Sequence, residues 1–561
     1  MATAMPIKRR KNRGQQRGRS VEPGALAEVR DLLGETPRRR DLLIEFLHRI
    51  QDKFGHLAAR HLTALAYDMK LSTAEVYEVA TFYDSFDIVK EGEAPPPAVT
   101  VGVCDSVTCE MYGAQALIDE LKQAFGDKVR VRHMPCLGRC AMAPIAVVGR
   151  KPVDYADRDK VTQTVARGEI EPEIPDYINY QRYREDGGYK TLLDVVEGRI
   201  AREQVFKHME DSNLRGLGGA GFPAGKKWRT VAEQPAPRYA AINIDESEPG
   251  TFKDRYFLER DPHRFIEGAL IAAHVVGIAG MWFYLRDEYH ACRTILETEL
   301  AAIKADPPCE LPPLNLRRGA GAYICGEESG MIESIEGRRG MPRLRPPFVA
   351  IKGLWGRPTL EQNLETLHWV RDILERGAEW FAEGGRHGRK GLRAFSVSGR
   401  VKKPGVHRAP AGITMQELID EYCDGMADGH EFYGYLTGGA SGGILPASMS
   451  DVPLDFDTLQ EYGCFIGSAA MIVLSQHDTA MQAALNTMRF FNHESCGKCT
   501  PCRVGTTKSA GLMAESKWDL EKLNDLATVM VDASICGLGQ AAPNNLKSVM
   551  KYFPEELKNG S

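Results

Sequence analysis

No stretch of the 561 residues approaches 18 uninterrupted apolar positions, so the sequence holds no candidate membrane-spanning helix. It also lacks a strong charge of either sign. The formal net charge of −5 argues against general nucleic-acid binding. Acidic residues are missing from the first twenty positions, where Lys8, Arg9, Arg10, Lys11, Arg13, Arg17 and Arg19 fall. No apolar core follows that basic run, which excludes a secretory signal, and the amphipathic spacing of a transit peptide is missing as well. Residues 1–23 are therefore expected to be a basic, solvated tail that only an acidic partner surface would order. Without a secretory signal the location is expected to be cytoplasmic, where disulfides are not expected.

What is present suits a multidomain globular protein. Hydrophobic residues make up 43% and charged residues 26%. The length predicts several domains. Apolar residues recur at helical spacing through 24–90, and Glu91-Gly-Glu-Ala-Pro-Pro-Pro then breaks the pattern. Residues 97–168 alternate strand, helix, strand and strand, a small α/β unit. A polar, Pro-containing stretch predicts a linker over 169–189. From 190 to 390 strands and helices alternate with Gly-rich turns, which predicts a mostly parallel sheet. Residues 391–475 hold short strands and Gly turns such as Thr437-Gly-Gly-Ala-Ser-Gly-Gly, and 476–561 read as helices around cysteines.

Eight of the thirteen cysteines form two tight groups, and clustered thiols in a reducing compartment point to metal. The first group is Cys104-x4-Cys109 with Cys136-x3-Cys140. Four thiolates on two loops suit [2Fe–2S] or zinc, and spacing alone does not decide. The context favours iron: Cys104 ends a strand, and Gly138 with its small neighbours lets backbone N–H groups approach sulfur. The second group is Cys496-x2-Cys499-x2-Cys502, the spacing of three ligands to [4Fe–4S]. Cys536 is the downstream cysteine that supplies the fourth, with zinc as the rival. Cys325 and the scattered Cys292, Cys309, Cys423 and Cys464 read as packed thiols.

Three segments between the cysteine groups suit a nucleotide. Arg215-Gly-Leu-Gly-Gly-Ala-Gly-Phe-Pro-Ala-Gly-Lys-Lys-Trp228 offers glycines for close approach to a phosphate and Lys227 for charge, although alone it reads equally as a plain turn. Asp245, Glu246 and Glu248 follow an apolar strand, where acids bond ribose hydroxyls or flavin ring N–H groups and repel a 2′-phosphate. Gly319-Ala-Gly-Ala-Tyr-Ile-Cys-Gly-Glu-Glu-Ser329 is another close-approach loop, ending on paired carboxylates at a helix start.

On these motifs the chain resembles the two peripheral NADH-dehydrogenase subunits of respiratory complex I. Residues 24–165 are similar to its thioredoxin-like [2Fe–2S] subunit, and about 190–555 to its NADH-binding flavoprotein. The resemblance implies a multidomain α/β fold: an N-terminal helical bundle, a thioredoxin-like [2Fe–2S] domain, a Rossmann-like FMN/NAD domain, a small ubiquitin-like α+β domain and a C-terminal helical [4Fe–4S] bundle. It implies FMN held by Gly216, Gly218, Lys227, Asn243, Asp245, Tyr323, Gly326, Glu327 and Asn363. NAD would meet Phe222, Glu248, Glu328 and Phe348, with the two phenylalanines stacking on its rings. Thr230 and Arg345 depart from the family pattern, which carries an aromatic and often a lysine there. No catalytic acid or base is implied, because hydride transfer needs none.

No pterin, nickel or quinone signature occurs, so the second substrate belongs to a partner. The fusion of both modules, with no ferredoxin-like cysteine motif after Cys536, resembles the beta subunit of NAD-dependent formate dehydrogenases. The expected partner is then an alpha subunit with a molybdenum or tungsten pterin and further iron–sulfur clusters. The diaphorase of an NAD-reducing nickel–iron hydrogenase and a fused complex I module are the alternatives. A zinc-stapled assembly protein is the reading from another class.

Overall fold

The computed structural model describes residues 20–559, so the reading of the basic tail lies almost wholly outside the described residues. The chain forms two compact units, one ending at Pro96 and the other beginning at Pro97.

The first unit is helical. Helices α1 (Pro23–Leu33), α2 (Leu43–Phe54), α3 (Ala59–Met69) and α4 (Thr73–Ala80) bury Val29, Phe46, Leu47, Leu62, Leu65 and Val76. Ser72 and Glu75 close the start of α4 as a capping box. A two-residue parallel ladder, Leu57–Ala58 with Ile88–Val89, ties the end of the unit to the end of α2.

The second unit contains three sheets and a helical end. Strands β1 (Thr100–Cys104), β2 (Arg130–Met134), β3 (Ala146–Val148) and β4 (Lys151–Val153) form a sheet in the order β2-β1-β3-β4, parallel only between β1 and β2. Its core, built on Val101, Val103, Ile118, Leu121 and Val148, is its own. The next sheet, β5 (Arg238–Ile244), β6 (Ile278–Leu285), β7 (Leu314–Arg318) and β8 (Thr359–Asn363), is wholly parallel in the order β8-β5-β6-β7. Helices α5 (Ala114–Phe125), α6 (Arg202–Asp211) and α7 (Ala224–Ala232) come earlier in the chain; the crossovers include α8 (Lys253–Leu258), α9 (Pro262–Val276) and α10 (Glu328–Ile335), and α11 (Leu364–His368) follows β8 at once, with α12 (Val370–Arg376) after it.

The third sheet is mixed: β9 (Leu392–Gly399), β10 (Gly405–Pro410), β11 (Phe432–Leu436), β12 (Ile444–Pro446) and β13 (Ala470–Ser475), in the order β10-β9-β13-β11-β12. It shares one hydrophobic core with the parallel sheet, running from Phe283 and Leu367 to Val397 and Met471. Helices α13 (Ala480–Glu494), α14 (Thr500–Met513), α15 (Leu520–Ala533) and α16 (Asn544–Tyr552) close the chain.

One stretch departs from the sequence reading. The expected linker over 169–189 contains a helix, Tyr180–Glu185, that buries Tyr180 and Tyr183. Tyr183 donates to Glu267 at 2.6 Å, and Tyr189 is hydrogen-bonded to His263 at 2.7 Å. The polar residues of the stretch face outward, while the buried Tyr180, Tyr183 and Tyr189 carry the packing.

Helix α9 passes so close to α11 that a Cβ at Gly268 would lie 2.0 Å from the Leu367 carbonyl oxygen. Gly268→Ala must push the two helices apart, and α11 begins at Asn363, in the site described below. The expected outcome is a loss of about 1–3 kcal/mol, read as a lowered melting temperature together with weakened FMN retention.

Candidate flavin, nucleotide and iron–sulfur sites

The carboxyl ends of β5 and β8 lie side by side, with Asn243 paired to Asn363 in register. Loops leaving parallel strands at this edge are where α/β sheets bind ligands. A cavity of about 250 Å³ opens there. Gly218, Asn243, Asp245, Glu246, Glu248, Tyr323, Gly326, Glu327 and Asn363 line it, so nine of the residues chosen from sequence converge on one pocket.

Glycine is required where two loops meet: a Cβ at Gly218 would stand 2.9 Å from Cβ of Asn363. Asn363 accepts from the Glu365 N–H at the start of α11 and donates to Asp254 at 2.7 Å. Asn243 donates to the Gly326 carbonyl at 2.9 Å and to Glu361 at 3.0 Å. These bonds tie the second and third nucleotide segments to each other and to β8.

The three acids after β5 have different work. Glu246 is taken up by protein groups: it accepts from the Asp254 and Arg255 backbone N–H groups at 2.8 and 3.0 Å and from the Tyr289 hydroxyl at 2.9 Å. Its carboxylate anchors the start of α8 while also lining the cavity. Glu248 accepts from the Ser441 N–H at 2.9 Å and from the Ser441 hydroxyl. Asp245 accepts from Ser247 at 2.7 Å through one oxygen, while the other, Oδ2, is buried with no partner. Burial pushes all three carboxyls up to about 7. A buried acceptor without a donor, beside glycines that admit a close approach, fits a ligand bearing ring N–H groups.

Five residues chosen from sequence lie outside this lining. Lys227 donates to the Glu361 carbonyl and carboxylate, both at 3.0 Å, and stands 4.0 Å from Glu328. Arg345 pairs with Glu328 at 3.0 Å and with Glu327 at 3.2 Å. Arg345 thus keeps a cation where the family often carries lysine. Gly216 exchanges backbone bonds within its own loop. Phe222 and Phe348 are 45% and 53% exposed, a high value for phenylalanine that suits rings awaiting a stacking partner.

Sequence reading missed other pocket residues. Lys253 is 1% exposed and pairs with Asp254 at 2.8 Å and Glu365 at 3.2 Å. Against the penalty of burial, those two acids and Glu246 hold its ammonium above the usual lysine range. Ser441, Gly467 and Ser468 come from the Gly-rich turns of the third sheet, and Gly537, Leu538 and Ala541 from just beyond Cys536. The Thr437–Gly443 turn was the signal available for Ser441.

The first cysteine set is buried, with Cys104, Cys109, Cys136 and Cys140 at 1%, 1%, 0% and 5% exposure. The Cys136 and Cys140 sulfurs are 3.3 Å apart, and the Gly138 N–H points at the Cys136 sulfur from 3.4 Å. Contacts with the Cys104 and Cys140 thiols, helped by the Arg286 charge, hold the Cys136 thiol well below the ordinary range. Four thiols with a backbone donor fit the [2Fe–2S] reading. In the second set Cys499 caps α14, Cys502 lies in its first turn and Cys536 caps the short helix Gly537–Ala541. Cys502 and Cys536 are buried, whereas Cys496 and Cys499 are partly exposed.

Residues 209–372 match the Nuo51 FMN-binding domain, 29–169 the thioredoxin-like [2Fe-2S] ferredoxin family, and 482–560 the NADH-ubiquinone oxidoreductase-F iron-sulfur binding region. An NADH-quinone oxidoreductase subunit of Rhizobium meliloti is 37% identical over 400 residues, covering 69% of this chain and 95% of the relative. The chain belongs to the family of NADH-quinone oxidoreductase flavoproteins. Another member, in Aquifex aeolicus, is 39% identical over 388 residues, 67% of this chain and 89% of its own length. Among solved structures, a chain of NAD+-reducing [NiFe]-hydrogenase in the H2-reduced state superposes with a TM-score of 0.83 at 30% identity. That match covers 93% of this chain and 94% of the other. Like its family, this flavoprotein is an NAD-dependent oxidoreductase subunit with FMN, one [2Fe–2S] and one [4Fe–4S] cluster. Among the described residues no helix is long and apolar enough to cross a membrane.

The raised acids set a pH dependence. A carboxyl at about 7 in the folded chain, against 3.8 for ordinary aspartate, binds its proton more tightly folded than unfolded. The stability tied to that proton is complete below pH 4 and is lost as pH rises through 7. FMN-depleted protein is therefore expected to melt at lower temperature at pH 8 than at pH 6. Asp245→Asn should reduce that difference, with Glu246 and Glu248 keeping the remainder, and melts of both proteins across this range check it.

Proposed function

We propose that this chain is the diaphorase subunit of a larger redox enzyme, exchanging electrons between NAD(H) and the iron–sulfur carriers of partner subunits in the cytoplasm. The observation that carries the reading is the shared pocket. Residues of all three nucleotide segments line it, and the loop after Cys536 forms part of the same wall. FMN, when bound, supplies the conversion between two-electron hydride chemistry and one-electron transfer.

The chain's own residues bind and orient. The Asp245 Oδ2 acceptor and the amides of Asn243 and Asn363 hold the flavin ring system, with Tyr323 beside them. Gly216, Gly218 and Lys227 receive its phosphate end. Phe222 and Phe348 stack on the rings of NAD, and Glu248 and Glu328 position it. Cys104, Cys109, Cys136 and Cys140 hold the [2Fe–2S] cluster, and Cys496, Cys499, Cys502 and Cys536 the [4Fe–4S] cluster. The partial exposure of Cys496 and Cys499 supports the second cluster as the exit to a partner. The four buried thiols hold the first cluster on a branch beside the flavin.

The partner we infer first is a molybdenum or tungsten subunit that oxidises formate, so that NAD+ is reduced here. That choice rests on the resemblance of the fused arrangement to formate dehydrogenase beta subunits. The near full-length match to a chain of NAD+-reducing [NiFe]-hydrogenase favours hydrogen as the second reading. Metal analysis of the co-purified complex separates them: molybdenum or tungsten supports formate, and nickel overturns it.

Cys499→Ser should lose the [4Fe–4S] signal and cut partner-linked turnover at least tenfold, while NADH still bleaches the flavin rapidly. Stopped-flow absorbance on folded variant checks this, and loss of the bleaching would contradict the order of carriers.

A further inference from the structure

A second cleft, of about 550 Å³, shares no lining residue with the flavin pocket. It lies at the C-terminal ends of α8 and α11, against the start of α9, helix α12 and strands β9 and β10. Four guanidiniums line it, those of Arg260, Arg264, Arg376 and Arg408, against the two carboxylates of Asp261 and Asp372. Asp372 is paired with Arg264, and Asp261 accepts from the Arg264 N–H at the start of α9. Arg376 and Arg408 have no acidic partner among the described residues. Arg376 instead lies 3.7 Å over the Trp380 ring and Arg260 3.9 Å over Tyr256, which holds both cations flat at the wall.

His368 lies among these cations, 3% exposed and stacked on Phe257 with ring centroids 4.0 Å apart. Neither ring nitrogen has a hydrogen-bond partner, and the buried Trp369 Nε1 beside it has none either. Burial, with the charges of Arg264 and Arg408, holds the imidazole well below its usual range, so it stays neutral with one N–H to donate and one nitrogen to accept. Three unmet polar atoms in one wall are more than a packed core tolerates without a further partner.

We propose that this cleft binds a small phosphorylated anion, of the phosphate ester or pyrophosphate class, with its charge held by Arg376 and Arg408 and an oxygen bonded to His368. Unpaired guanidiniums suit phosphoryl oxygens, which they hold through paired N–H donors. No cysteine of either cluster set lines the cleft, so the bound anion is an effector and not a redox substrate. Helices α8 and α11 each run from the flavin pocket to this cleft, and the five residues of α11 span only about 7.5 Å.

The test is calorimetric titration of inorganic pyrophosphate into the intact, cofactor-loaded complex, with NAD+ saturating so that the nucleotide site is filled. One binding event per chain is expected. In an R376Q/R408Q variant with an unchanged visible spectrum, the affinity should fall at least tenfold. Both side chains are exposed, so the variant is expected to fold. Absence of binding to the wild-type complex, or equal affinity in the variant, overturns the proposal. Binding to the isolated chain but not to the complex assigns the cleft to an acidic segment of a partner, and overturns it as well.

Discussion

The buried guanidinium of Arg286 joins the first cysteine set to the flavin pocket. Arg286, at the end of β6, is 2% exposed. It donates to the Cys136 carbonyl at 2.7 Å, to the Glu246 carbonyl at 2.6 Å and to Glu288 at 3.1 Å, and it lies over the Tyr289 ring. The planar fork is rigid, so it sets the spacing between a cluster-ligand loop and a pocket loop by its own covalent dimensions. Arg255 makes a second tie, donating to the Gly138 carbonyl at 2.8 Å. Removing either cation would leave buried acceptors unpaired, which costs far more than the net worth of the bonds.

Much of the surrounding structure follows from that joint. Glu246 can hold α8 only while Tyr289 and Arg286 hold Glu246, and α8 carries Lys253 and Asp254 into the pocket wall. Lys253 then pairs with Glu365, which accepts from the Ala394 N–H at 2.7 Å and so fastens the parallel sheet to β9. The [2Fe–2S] domain keeps a core of its own, yet polar bonds fix it to the rest of its unit. Tyr112 donates to the Gly399 carbonyl at 3.0 Å, and Asn486 to the Asp105 carbonyl at 2.7 Å. A domain held in this way keeps its distance from the flavin constant, as electron transfer between them requires.

The features legible in the sequence are those written in short spacings. The cysteine pairs and the Cys496–Cys502 triplet, the glycine loops and the acids at a strand end each declare themselves within a short local spacing. Strand β1 ends on Cys104, and α10 begins behind Glu327, as their local patterns require. What stays hidden depends on contacts far apart in the chain. Nothing near Arg286 reveals that it meets Cys136, 150 positions away. The bonds by which Glu246 holds α8 are hidden because a carboxylate that accepts backbone N–H groups looks, in sequence, like any other acid at a strand end. The helix within 169–189 is hidden because the polar composition of the stretch outweighs four tyrosines that find their partners only after folding.

The central claim is that Arg286 couples the [2Fe–2S] loop to the flavin pocket. Redox titration of Arg286→Met by electron paramagnetic resonance, with FMN content measured alongside, tests it most directly. Loss of the buried positive charge should lower the [2Fe–2S] midpoint by roughly 59 mV or more, a tenfold shift for one electron, and should weaken FMN retention while the [4Fe–4S] signal stays. A folded variant whose [2Fe–2S] midpoint and FMN affinity both equal those of the parent would contradict the account.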